Sequence, residues 1–119
     1  MITTIYPAIT KNEHSIVIQF SGAEVIRKCD EMEFILDINQ NNEVFGIEIV
    51  NLKYLTHCVG VALNETQNSV SEVDFNYDNS SDVLSIWFPK SRSINQKSVI
   101  GSVLLDVKNY VVGIEVKTI

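Results

Sequence analysis

The stretch Val44-Phe45-Gly46-Ile47-Glu48-Ile49 returns later in the chain as Val111-Val112-Gly113-Ile114-Glu115-Val116. In front of each copy lies an apolar run containing an acid, Ile35-Leu36-Asp37-Ile38 and then Leu104-Leu105-Asp106-Val107. Further upstream, Ile16-Val17-Ile18-Gln19-Phe20 is answered by Leu84-Ser85-Ile86-Trp87-Phe88. The offset is 68 residues at Ile16/Leu84, 69 at Asp37/Asp106 and 67 at Gly46/Gly113. One unit is therefore used twice, which limits the folds open to the chain. Each unit carries a single apolar face and must find its cover in the other.

Period-two alternation identifies the elements of the unit as strands. Ile16, Ile18 and Phe20 take one face, with Val17 and Gln19 on the other. Val73, Phe75 and Tyr77 alternate with Asp74 and Asn76 in the same way. Ile2 to Ile9 is β-rich but holds Pro7, which suits an edge. Turn formers follow at Thr10–Glu13, Asn39–Asn42 and Asp78–Ser81. The segment Ala23–Met32 is ambiguous between loop, ragged strand and a helical turn, and Lys90–Ser98 reads as a polar loop. With strands at Glu33–Ile38, Glu43–Ile49, Val83–Phe88, Val103–Val107 and Tyr110–Val116, each copy becomes strand, strand, long loop, strand, strand.

The expected fold is mainly β: two pseudo-symmetric four-stranded antiparallel sheets packed as a sandwich, within one domain spanning 1–119. Repeats at about 1–50 and 70–119 are joined by a connector at 51–69, with room for a short helix near 51–57 N-capped by Asn51 and a brief strand within Val59–Leu63. One continuous sheet covered by that helix is the alternative.

The second copy contains Tyr77-Asp78-Asn79-Ser80-Ser81-Asp82-Val83-Leu84-Ser85-Ile86 and then Leu104-Leu105-Asp106 and Gly113-Ile114-Glu115. In these residues it resembles the small bacterial family called domain of unknown function 2283. That unit reads Tyr-Asp, a short gap, Asp-x-Leu-x-Ile, then a Leu-Asp hairpin ending in Gly-Ile-Glu. The first copy keeps Leu36-Asp37 and Gly46-Ile47-Glu48 but has Ile9-Thr10 and His14 at the front. The resemblance covers most of 70–116 and more weakly 12–50; it implies a compact β-rich unit, a bacterial source and no particular activity.

Chemical motifs are scarce. Glu48 and Glu115 occupy equivalent positions, but both oppose the apolar phase and point away from a sandwich core on opposite sides, too far apart for an acid/base pair. Cys29 and Cys58 are too few for a disulfide framework, and neither has zinc spacing with His14 or His57. Asp74, Asp78 and Asp82 lack the glycine and terminal glutamate of a calcium loop. No Gly-x-Ser-x-Gly or phosphate-binding glycine loop occurs. The expectation is a non-enzymatic protein without metal or cofactor.

Fifteen acids against nine bases give a net charge of −6. Residues 1–68 carry nine acids and four bases, and 69–119 carry six and five. That balance repels nucleic acid and favours a basic protein partner. The acids Glu24, Asp30, Glu31 and Glu33, with Glu43, form the candidate patch, against the plain alternative of a solvated loop. Trp87 faces outward with Ser85, where it is either covered by the connector, the commoner outcome, or serves as a contact anchor. No signal peptide or apolar run of about 20 residues is evident, so a soluble, cytoplasmic protein is the default. These features point to an immunity- or antitoxin-type protein that occludes a basic toxin such as a nuclease. A structural β protein that self-associates through a strand edge or the Trp87 face is the alternative.

Overall fold

A computed structural model describes residues 6–63, 73–88 and 95–117. Among these described residues nine strands and one short helix follow one another as β1 (Ala8–Lys11), β2 (Ser15–Gln19), β3 (Arg27–Ile38), β4 (Val44–Val50), α1 (Leu52–Thr56), β5 (Gly60–Val61), β6 (Asp74–Asp78), β7 (Val83–Trp87), β8 (Asn95–Leu105) and β9 (Tyr110–Lys117). All nine strands belong to one sheet, ordered β1-β2-β9-β8-β3-β4-β7-β6, with β5 paired in parallel to β9 beside the end of β2. The sandwich of two sheets is thus corrected to a single sheet, curled on itself as a half-barrel.

The repeat survives the correction. Exchanging the first four strands for the last four reads the strand order backwards, so a pseudo-two-fold runs between β3 and β8. It holds residue by residue where the copies interlock. On β2 and β9, Ile18 faces Ile114 and Gln19 faces Gly113; on β7 and β4, Ile86 faces Ile47 and Trp87 faces Gly46. Phe20 N–H donates to the Val112 carbonyl at 2.7 Å, and Phe88 N–H to the Phe45 carbonyl at the same distance. Each copy's front hairpin therefore docks on the other copy's back hairpin.

The seam is β3 against β8, in register from Arg27 opposite Leu105 to Ile38 opposite Asn95, with a bulge between Cys29 and Met32. Strand β3 reaches back to Arg27 and β8 to Asn95, through stretches that read as loop because their residues are polar and exposed. These polar halves carry the pairing that fuses two units into one sheet.

The concave side holds the core. Ile16, Ile18 and Phe20 meet Phe34, Leu36, Ile47, Ile49, Leu84, Ile86, Val103, Leu105, Ile114 and Val116 there, each nearly or fully buried. Burial of one such side chain is worth roughly 1.5–3 kcal/mol. The two ends of the sheet touch through Phe20 and Phe75, edge to face with ring centroids 5.5 Å apart, and through the Lys11 ammonium 4.6 Å from the Phe88 ring centre.

Helix α1 closes one end by sinking Leu52 and Thr56 into the core. Asn51 stands at its N-cap as expected, but in left-handed conformation and without a side-chain bond to the helix. The cap comes instead from Asp82 in the β6–β7 turn, whose carboxylate accepts from Lys53 N–H at 2.7 Å and Tyr54 N–H at 3.0 Å. The expected brief strand within Val59–Leu63 is β5. The loop expected at 64–69 lies outside the described residues, as do residues 2–5 of the expected N-terminal strand. No helix among the described residues is long and apolar enough to cross a membrane.

Candidate protein-binding surface

The convex side of the sheet is lined by the residues that alternate with the core. On β3 these include Lys28, Asp30, Glu33, Ile35 and Asp37, and on β8 Gln96, Ser98, Ile100 and Ser102. Glu48 on β4, Ser85 and Trp87 on β7, Asp74 and Asn76 on β6, and Glu115 on β9 complete the central rows.

Strand register gives the layout. One row runs Ser98, Ile35, Glu48, Ser85, Asn76 across five strands. The next runs Gln96, Asp37, Gly46, Trp87, Asp74. Neighbouring strands lie about 4.8 Å apart, so Trp87 sits between Asp74 on one side and the Gly46–Asp37 pair on the other, one row from Glu48.

Trp87 owes its pose to a bulge. Between Asp37 opposite Gly46 and Ile38 opposite Val44 the register shifts, leaving Phe45 as the extra residue. Phe45 is buried against the indole, with ring centroids 6.0 Å apart. Gly46 is required below the ring: a Cβ there would lie 2.8 Å from both a Trp87 ring carbon and Asp37 Oδ2. The second copy has the same device, with Val112 in the bulge and a Cβ on Gly113 brought to 2.7 Å from the Ile18 carbonyl oxygen. The ring of Trp87 remains 38% exposed, and α1 and β5 of the connector lie at the other end of the strands. Phe45, not the described part of the connector, gives Trp87 its support.

Around this ring the acids are held in place. Asp37 is buried and accepts a hydrogen bond from Gln96 Nε2 at 2.9 Å. Glu48 has its pKa raised, first by burial and then by the charge of Asp37. At the β9 side, Asp30 accepts from Ser102 Oγ at 2.7 Å, and Lys28 bridges Asp30 at 4.0 Å and Glu115 at 3.3 Å. Glu33 stands opposite Ile100, which is 52% exposed.

Compared with family models, curated proteins and solved structures, the chain matches none.

Of the expected site residues, Asp30, Glu33 and Trp87 share this face. Glu31 lies in the β3 bulge at φ 60°, exposed. Glu24 and Glu43 are drawn away to opposite ends of β3: Glu24 beside the β8–β9 turn, and Glu43 in the β3–β4 turn, where its N–H donates to Asn39 Oδ1. The residues added by the fold are Asp37, Glu48, Asp74 and Glu115. Alternation alone places Asp74 and the two glutamates opposite the apolar phase, but only the β4–β7 and β3–β8 pairings bring them onto a common surface. Glu48 and Glu115 correct another expectation, since both lie on the same convex face rather than on opposite sides. Three strand spacings across the sheet, about 14 Å, and four residues along it, from the Ser98 row to the Ser102 row, still separate them, too far for a paired acid and base.

His57 is exposed at the C-cap of α1 while Cys58 is buried, so this neighbouring pair lacks the shared approach of nucleophile and base. No group of three potential metal ligands occurs among the described residues. A concave pocket of about 420 Å³ opens at the other end of the half-barrel, with Ile16, Leu36, Ile38 and Val44 as its floor and Lys11, Lys97, Glu13 and Glu43 at its rim.

Proposed function

We propose that the convex face is the recognition surface for a basic protein, and that the chain is an immunity- or antitoxin-type inhibitor with no chemistry of its own. What carries the reading is one juxtaposition: a half-exposed Trp87 fixed between Asp37 and Asp74, beside Glu48. A rigid aromatic ring with Asp74 and Glu48 at its edge and the buried charge of Asp37 behind it suits Lys and Arg side chains, by cation–π contact over the ring and charge-assisted hydrogen bonds to the two accessible carboxylates. Glu33 and Asp30 extend the same potential toward β8 and β9, where it steers a cationic partner.

In a toxic nuclease such a face would occupy the substrate groove, its carboxylates standing in for phosphates. The resemblance of the second repeat to the bacterial domain of unknown function 2283 is kept as a proposal of kinship in fold, and a cytoplasmic setting goes with the neutraliser role.

The test begins with co-purification from the native host under low salt and elution at high salt. The partner expressed alone should arrest growth, and co-expression with this chain should relieve it. Glu33→Lys combined with Asp74→Lys should weaken the complex at least tenfold and flatten its salt dependence, with Glu43→Lys as the neutral control. Wild-type affinity in the double variant would remove the convex face from the proposal, and a harmless partner would remove the inhibitor role.

A further inference from the structure

We infer that the pole opposite α1 is a second seat of the kind α1 fills, shaped for a segment of another protein that enters as one helical turn and leaves as a short extended stretch. The pseudo-two-fold relates the two poles. Ile16, Leu36, Ile38 and Val44 floor the pocket of about 420 Å³ there, and their mates across the axis are Leu84, Val103, Leu105 and Val111. All four mates are fully buried, with Leu52, in the end that α1 and β5 close. In the pocket Ile38 and Val44 are only half-buried. Among the described residues no element covers this floor as the connector covers the other. The sheet has two equivalent ends, and the connector fills one.

The match extends to the groups that hold the connector. In the β8–β9 turn Asp106 Oδ1 accepts from Lys108 N–H at 3.0 Å and Tyr110 N–H at 2.9 Å. In the β3–β4 turn Asn39 Oδ1 accepts from Asn41 N–H at 2.9 Å and Glu43 N–H at 3.0 Å. Asn109 and Asn42 sit at the same place in these turns, both left-handed, with φ 69° and 65°. The Asn109 side chain donates to the His57 carbonyl at the end of α1, while the Asn109 and Val111 carbonyls accept from Val59 and Ala62 N–H, each at 2.9 Å. Asn42 and Val44 bring the same amide and the same two carbonyls to the pocket. Beside them Lys97 supplies a cation for a last-turn carbonyl, as Arg27 Nη2 does for that of Thr56 at 2.7 Å. On the entry side Glu13 adjoins His14, which precedes β2 as Asp82 precedes β7, and it offers a carboxylate to the first N–H groups of a helix.

These features define the occupant. It carries a large aliphatic side chain and a smaller one four residues on, as Leu52 and Thr56 are, so that both meet the floor from one face of a helical turn. A few residues of extended backbone follow, pairing in parallel with the start of β4 as Gly60 and Val61 pair with β9. Acids and bases mix on the rim, Lys11 and Lys97 with Glu13 and Glu43, so apolar fit and backbone pairing choose the ligand rather than charge. The site is separate from the acidic convex face and does not rest on the role proposed for that face.

The probe is a synthetic peptide with the sequence of residues 51–62, titrated into the whole chain while methyl resonances are followed by NMR. Those of Ile16, Leu36, Ile38 and Val44 should shift and saturate at millimolar peptide, the affinity expected of a segment too short to be helical when free. Leu84, Leu105 and Val111 should hold still, because their seat is filled. Leu52→Asp within the peptide should abolish the shifts without touching the fold of the chain. Asn42→Gly combined with Lys97→Ala, both at exposed positions, should weaken binding at least fivefold. No shift at the pocket overturns the inference, as do equal shifts with the Asp-bearing peptide. A chain ending at Lys117 that binds at least tenfold tighter would assign the seat to residues 118–119, and self-association of the wild type that the peptide dissolves would assign it to a second copy. Either result overturns it equally.

Discussion

Asp82 is a single residue on which both repeats depend. It belongs to the second copy, yet its carboxylate caps the helix that follows the first, and it also accepts from Tyr77 Oη at 2.7 Å. Burial opposes its ionisation, but the Lys53 and Tyr54 N–H groups and the Tyr77 hydroxyl outweigh that and lower its pKa. The same contact, after burial, holds the Tyr77 hydroxyl far above its usual range. Asp82→Asn keeps a residue that tolerates the left-handed backbone found there, at φ 58°, while removing the charge. It should cost roughly 0.5–1 kcal/mol in denaturant unfolding at pH 7, less than a lost helix cap, because the amide keeps one acceptor oxygen and loses the other, together with the charge. The sign with pH follows from the lowered value: the stabilisation is complete above the unfolded carboxylate pKa of about 3.9 and fades as pH falls through the folded one. Wild type and variant should therefore converge in acid; a constant gap down to pH 2 would deny Asp82 this role. Asn51 shows why the sequence named a different residue. An Asn before an apolar helix start is an ordinary N-cap signal, and nothing local reveals that a turn 31 residues later supplies a better acceptor.

Among the elements, β3 and β8 decide the architecture and are the two that alternation reads least well. Their second halves show a clear apolar phase, in Phe34 and Leu36 and in Val103 and Leu105. Their first halves, Arg27-Lys28-Cys29-Asp30-Glu31 and Asn95-Gln96-Lys97-Ser98, show polar residues in both phases. Such stretches resemble loops because part of each lies at an end of the half-barrel, where even the concave side meets water. Their strand character comes from backbone pairing rather than side-chain burial. Hydrogen exchange tests this directly: amides in 33–35 and 97–101 that bond across the seam should be protected comparably to those of the β4–β7 pair. Exchange within seconds along 97–101 would leave the two units unjoined.

For the whole molecule, the interlock of the copies makes the halves interdependent. Residues 1–63 alone would lose the β9 and β8 partners of β2 and β3 and the β7 partner of β4, baring Ile18, Phe34, Ile47 and Ile49. The expected result is a chain without cooperative unfolding, or a pair of fragments that restores the two-fold sheet; a stable, monomeric, cooperatively folding fragment would contradict the shared core.

By itself the sequence determined the local choices: β structure, two copies, the inward apolar phase, the turns and the outward aspect of Trp87, Asp74, Glu48 and Glu115. These are short-range consequences of side-chain alternation and turn chemistry, readable one segment at a time. The tertiary structure decided which edges pair, and hence that the apolar faces meet across one curled sheet rather than between two. It likewise selected the acids that share a surface with Trp87 and the side chain that caps α1. Backbone pairing leaves almost no mark on side-chain type where both phases are wet, so two architectures with the same inward residues look alike until the strands are placed.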